Sequence, residues 1–206
     1  MKRLGFAILS LLPLTLVQAE LKYNSAGPTE AVSASVSLDF EINIGKFIFL
    51  RVGTGAYPTA SNTVDTVAIN TALQIPGVAS PLSNGNGVAV NWAGDVPTLT
   101  ASSAVLPVEV RSNAGQVSLR ATVNTPLSNG AVTIPFSRIA VTSSDSGLPA
   151  PLIPDTGSGA GVNVTGTSFD GLITERSANW TFTYTGGVIP AAGIYNGEVG
   201  FTASAP

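Results

Sequence analysis

The chain has 206 residues, a net charge of −3, no cysteine and no histidine. Without cysteine there is no disulfide and no thiolate metal site, and without histidine the usual general base and commonest metal ligand are missing. Charged residues make up only 10% of the chain, and nothing in it forms a basic patch for nucleic acid or anionic lipid.

Residues 1–19 read as a cleaved export signal: Lys2 and Arg3 at the start, an apolar stretch from Phe6 to Val17, and Val17-Gln18-Ala19 as the small-residue cleavage site. The remaining domain is then 20–206. Removing Lys2 and Arg3 leaves seven basic and twelve acidic residues, a net charge of −5. The apolar stretch is too short for a membrane span, and no later segment is long enough to be one. Ser, Thr, Asn and Gly occupy the outward positions where charges are missing, a neutral coat that suits either packing against copies of the same chain or a soluble monomer outside the cell.

Val32, Ala34, Val36, Leu38, Phe40, Ile42 and Ile44 alternate with polar residues. Period-two alternation predicts one long half-buried strand over 31–44, roughly 40 Å at about 3.3 Å per residue. Further strands are predicted at 46–52, 64–70, 87–92, 105–111, 115–124, 131–142, 162–166, 179–185 and 194–204. Glycine-rich turns separate them: Gly53-Thr-Gly55, Ser83-Asn-Gly-Asn-Gly87, Asn113-Ala-Gly115, Ser128-Asn-Gly130 and Gly186-Gly187. No stretch after residue 19 carries the apolar period of a helix. The pattern predicts an all-β protein, a single antiparallel β-sandwich without a domain linker. Val117, Leu119, Ala121 and Val123 should face inward, as should Trp180, Phe182 and Tyr184, and Val199, Phe201 and Ala203. The irregular segment 143–161 contains three prolines and four glycines; a loop of that length is functional or disordered, and its composition does not decide which.

Catalytic chemistry finds little material. Asp155-Thr156-Gly157-Ser158 is similar to an aspartic-protease signature, with a partial copy at Asp145-Ser146-Gly147. Two copies ten residues apart cannot form the two-lobed dyad, so both read as Asp-initiated turns. The run Leu152 to Gly157 touches a sortase motif but is followed by 49 residues of strand-like sequence instead of an apolar tail. Asp39 and Glu41 share one face of the first predicted strand and read as a solvated face. Asp95, Asp145, Asp155 and Asp170 lie in loops without the spacing of a calcium loop. Gly157 to Gly161 has no lysine and is no phosphate loop. No catalytic residue, metal ligand or cofactor is expected. Trp92, at a strand end before Gly94, is the candidate ligand contact if aromatic stacking on sugars is the function.

From Gly193 to the end, every second residue is small or apolar: Gly193, Tyr195, Gly197, Val199, Phe201, Ala203, Ala205. This ending resembles that of bacterial chaperone–usher pilus (fimbrial) subunits, which carry a glycine fourteen residues from the terminus followed by alternating apolar residues. The resemblance covers the two ends of the chain. It departs at Ala205, where the family has an aromatic residue, and in lacking the disulfide of the family's best-known branch. It implies an Ig-like sandwich, export through the periplasm to the cell surface, and a non-enzymatic structural or adhesive role. It also implies assembly by β-strand addition with copies of the chain, other pilus subunits or a periplasmic chaperone. Either the run Val32 to Ile44, with Val32, Ala34, Val36, Leu38 and Phe40, or the segment Leu21 to Thr29 just before it would be the donated strand, and Gly193, Val199, Phe201 and Ala203 would belong to the accepting edge. The alternative is a secreted monomeric β-sandwich that binds carbohydrate or a surface.

Overall fold

The computed structural model describes residues 21–55, 64–74, 96–186 and 189–206. It divides into two units, one ending at Ile44 and one running from Gly45 to Pro206. The predicted signal, the predicted strand 87–92 and Trp92 lie outside the described residues.

The first unit corrects the strand prediction for 31–44. No residue from 21 to 47 lies in a strand, and the apolar set faces solvent: Leu38 is 71% exposed and Phe40 84%. Alternation makes a segment fit for a half-buried surface; it does not supply the surface. Among the described residues, nothing within this unit buries the apolar side.

Among the described residues the second unit is all-β, with antiparallel sheets and one short 3-10 turn, Phe136–Arg138. In chain order the strands are β1 (Ile48–Val52), β2 (Thr71–Gln74), β3 (Thr98–Ala101), β4 (Ser103–Ser112), β5 (Ser118–Ser128), β6 (Ile139–Ser143), β7 (Gly157–Ser158), β8 (Val162–Asn163), β9 (Thr174–Tyr184) and β10 (Asn196–Ser204). One sheet has the order β1-β4-β9-β6, a second β10-β5-β7 with β8 also on β5, and β2-β3 form a separate two-stranded antiparallel sheet. The longest ladder joins β4 to β9, from Ser103 opposite Thr183 to Ser112 opposite Thr174.

The two larger sheets pack face to face in a sandwich-like arrangement. Val108 and Val110 of β4, Leu119 and Ala121 of β5, and Ala178, Trp180 and Phe182 of β9 form its core with Val117. The Trp180 and Phe201 rings meet edge-on across the sheets, 5.3 Å between centroids. Period-two alternation with one buried face explains why these strands match their predicted positions to within a few residues.

Three predicted strands differ. Residues 64–70 are not in a ladder; pairing begins at Thr71. In 131–142, Pro135 removes a ladder donor and the chain makes the 3-10 turn before β6. Only the first two residues of 162–166 pair. Strands β2, β3 and β7 lie outside every predicted strand.

The segment 143–161 is a strap packed into the core. Leu148 is fully buried, as is Pro151, and Ile153 is 7% exposed. The Leu148 carbonyl accepts from Ser143 Oγ at 2.7 Å and from Trp180 Nε1 at 3.4 Å. Arg176 shares the inward side of β9 with Trp180, so its charge needs a partner at the sandwich end. Asp145 supplies it, with Oδ2 3.1 Å from Arg176 Nη1, while Arg176 Nε donates to the Thr165 carbonyl at 2.8 Å. A Cβ on Gly147 would lie 2.4 Å from the Arg176 guanidinium carbon, so a larger residue there would force the Arg176 side chain to shift.

The Gly147 N–H, 2.8 Å from Asp145 Oδ1, is the main reason that the Asp145 carboxyl titrates below its ordinary value of 3.8. Arg176 adds to this by hydrogen bond and charge, and burial opposes it. Because the folded-state pKa is depressed, the stabilisation is complete above the ordinary value and is lost as pH falls through the folded one. Asp145→Asn should therefore lower the urea midpoint at pH 7, and the gap to the parent should narrow at pH 3. A gap that stays constant with pH would show that the charge does not hold the strap.

Candidate functional site

The edges of the two sheets that face each other are β1 and β10. They approach at the Pro206 end, where Lys46 Nζ donates to the Pro206 carbonyl at 3.1 Å. No ladder joins them: β1 pairs with β4 and β10 with β5. An open groove of about 1390 Å³ lies along these edges. Leu50 and Val52 of β1 form one side and Val199 and Phe201 of β10 the other, with Phe136 and Phe182 at the base. Leucine, valine, isoleucine and aromatic side chains dominate this surface. Such a groove is suited to apolar side chains presented at alternate positions along an extended backbone.

The shape of β10 contributes to the groove. Its register against β5 shifts between Asn196 and Glu198 and again before Val199, and irregularities of this kind bend a strand and re-aim its side chains. Gly197 sits at the shift, where a Cβ would lie 2.8 Å from the Leu127 Cα and 2.9 Å from the Phe136 ring. Glu198 is tied down by the Asn124 amide at 2.8 Å.

Of the residues assigned to the accepting edge, Gly193, Val199 and Phe201 line the groove. Ala203 is half-buried against the core further along β10. Val32, Ala34, Val36, Leu38 and Phe40 are all exposed in the first unit. Sequence reading missed the opposite wall, Leu50 and Val52, although β1 itself was expected. The signal available was the inward alternation of β1; its facing β10 across an unpaired gap is a property of topology.

Three of the carboxylates considered for chemistry, Asp155, Asp145 and Glu41, have structural partners. Asp155 Oδ1 accepts from the Ser137 N–H at 2.7 Å, and Asp145 serves the strap. Glu41 accepts from the Asn43 amide at 2.9 Å. Among the described residues, no group of three or more acidic side chains could hold a metal ion. No helix of the described chain is long and apolar enough to cross a membrane.

Fold and groove together define an all-β, antiparallel, sandwich-like protein with an open apolar cleft between two sheet edges. No family model, curated protein or solved structure matches the chain.

Proposed function

We propose that this chain is an exported structural or adhesive subunit that assembles, as pilus subunits do, by β-strand addition. Residues 32–44 of one copy would enter the groove between β1 and β10 of the next. In this reading the domain is an Ig-like sandwich open along one side. Its accepting edge includes Gly193, Val199, Phe201 and Ala203, and its route runs through the periplasm to the cell surface. A periplasmic chaperone strand would hold the same cleft during transit.

One observation carries the reading: the same chain holds an apolar groove along two strand edges that no ladder joins among the described residues, and an exposed segment whose apolar residues alternate with period two. Exposed apolar surface on this scale marks an interaction site. Leu38, Phe40 and Ile42 offer three successive apolar residues on one side, and Val199 and Phe201 lie in the groove.

The start of the second unit, next to the donated segment, is anchored by side-chain hydrogen bonds. Gly45 and Phe47 are held by Asn113: its Nδ2 donates to the Gly45 carbonyl at 2.8 Å and its Oδ1 accepts the Phe47 N–H at 2.8 Å.

Light scattering on the chain from Glu20 tests the reading. The intact chain should form multimers, and Leu38→Ser/Phe40→Ser/Ile42→Ser should be a monomer with an unchanged melting temperature. Burial of each of the three side chains is worth about 1.5–3 kcal/mol, so their joint loss weakens association about a thousandfold or more. Two monomers, or two equally large multimers, would refute strand donation by this segment.

A further inference from the structure

Residues 64–70 have a clear strand pattern and lie in no ladder. Val67 and Ile69 are half-buried against the core, while Thr66, Ala68 and Asn70 between and after them are exposed. The segment lines the groove alongside Leu50, Val52, Val199 and Phe201. Those four belong to hydrogen-bonded strands, but no backbone hydrogen bond joins Thr66–Ile69 to any described residue.

The segment is held at its two ends. Asp65 accepts hydrogen bonds from the Thr54 N–H and, at 3.2 Å, from Thr54 Oγ1. At the other end the Asn70 carbonyl accepts from the Ser102 N–H at 2.9 Å, and the Asn70 N–H donates to Ser102 Oγ at 3.0 Å. Between these clamps, two apolar side chains at positions i and i+2 rest in the cleft without backbone support. An incoming strand would supply the same alternate side chains and add a ladder to the exposed edges as well.

We infer that residues 64–70 are a placeholder strand: Val67 and Ile69 cover part of the acceptor groove and are displaced when a donated strand enters. The inference rests on the strand-acceptor reading and adds its regulation. The placeholder shields apolar surface in the free subunit, and because it lacks ladder bonds it yields to a segment that can make them. Asp65 and Asn70 act as hinges that keep the displaced stretch attached.

The absence of cysteine allows the displacement to be read by thiol labelling. The Leu38→Ser/Phe40→Ser/Ile42→Ser chain, whose own donor is disabled, is prepared with Ile69→Cys, with Val67→Cys as a second version in case the first is unstable. A fluorescent peptide with the sequence of residues 30–46 is added, and its binding is followed by anisotropy in the same samples. Labelling should accelerate about tenfold or more when the peptide is bound, because reaction follows the exposed population. A Thr66→Cys control, exposed already, should label quickly with and without peptide. If the peptide binds and labelling at 69 and 67 is unchanged or slower, the segment is a fixed wall and the placeholder is refuted while the acceptor groove stands. If the peptide does not bind at all, the acceptor reading itself fails and the placeholder falls with it.

Discussion

Trp180→Ala should destabilise the domain by about 3–5 kcal/mol, the range for removing a buried tryptophan from a close-packed interior. Trp180 is the largest fully buried side chain, with no exposed surface. It joins three parts of the molecule: β9 through its backbone, β10 through the edge-on contact with Phe201, and the strap through its Nε1 bond to the Leu148 carbonyl. Domains of this size are stable by only about 5–15 kcal/mol, so one substitution removes a large share of the total. Trp180→Phe keeps most of the apolar volume and should cost distinctly less. Urea unfolding followed by circular dichroism decides the matter; a loss under about 1 kcal/mol for the alanine variant would mean that the core lies elsewhere.

Glu109→Ala should cost about 2–4 kcal/mol, the larger of the two losses expected on the outer face of the β1-β4-β9 sheet. Glu109 is a carboxylate in a nearly closed site, its side chain 9% exposed. Arg51 reaches it from β1 at 2.8 Å and Arg111 from β4 at 2.6 Å, and Arg111 also reaches Glu175 on β9 at 2.6 Å. Removal of the shared acceptor leaves Arg51 facing Arg111. Arg111→Ala should cost less, about 1 kcal/mol, since its side chain is 41% exposed and water can replace it. The pair Arg51–Glu109 is also a directly opposite position in the β1–β4 ladder, next to Val52 in the groove wall. Glu109→Ala is therefore expected to weaken strand acceptance together with stability. Equal losses for the two variants would contradict the view of Glu109 as the centre of the network.

The legible parts of the fold were the strands with one buried face. Val117, Leu119 and Ala121, or Trp180 and Phe182, alternate strictly because the sheet's two sides meet different surroundings, and the same alternation can be read without coordinates. The periodicity is silent about the partner. Residues 32–44 and 64–70 carry signals as clear as that of β10, yet neither lies in a ladder, and these two segments are central to the functional proposal. Leu148, Pro151 and Ile153 were hidden for another reason: they are isolated among prolines and glycines, where no period marks an inward side. The Asp145–Arg176 pair and the groove both depend on residues far apart in the chain, which only the folded topology brings together. Gly193, Val199 and Phe201 could be named in advance from the ending of the chain; the facing Leu50 and Val52 could not.

Cross-linking between copies tests the central claim most directly. Copies carrying Leu38→Cys, Phe40→Cys or Ile42→Cys are each mixed with a copy carrying Val199→Cys and mildly oxidised; the parent chain contributes no thiol of its own. Strand addition predicts a mixed disulfide between copies for at least one donor position, abolished by excess peptide of residues 30–46. Folded proteins that mix without forming any such bond at all three positions would contradict the account.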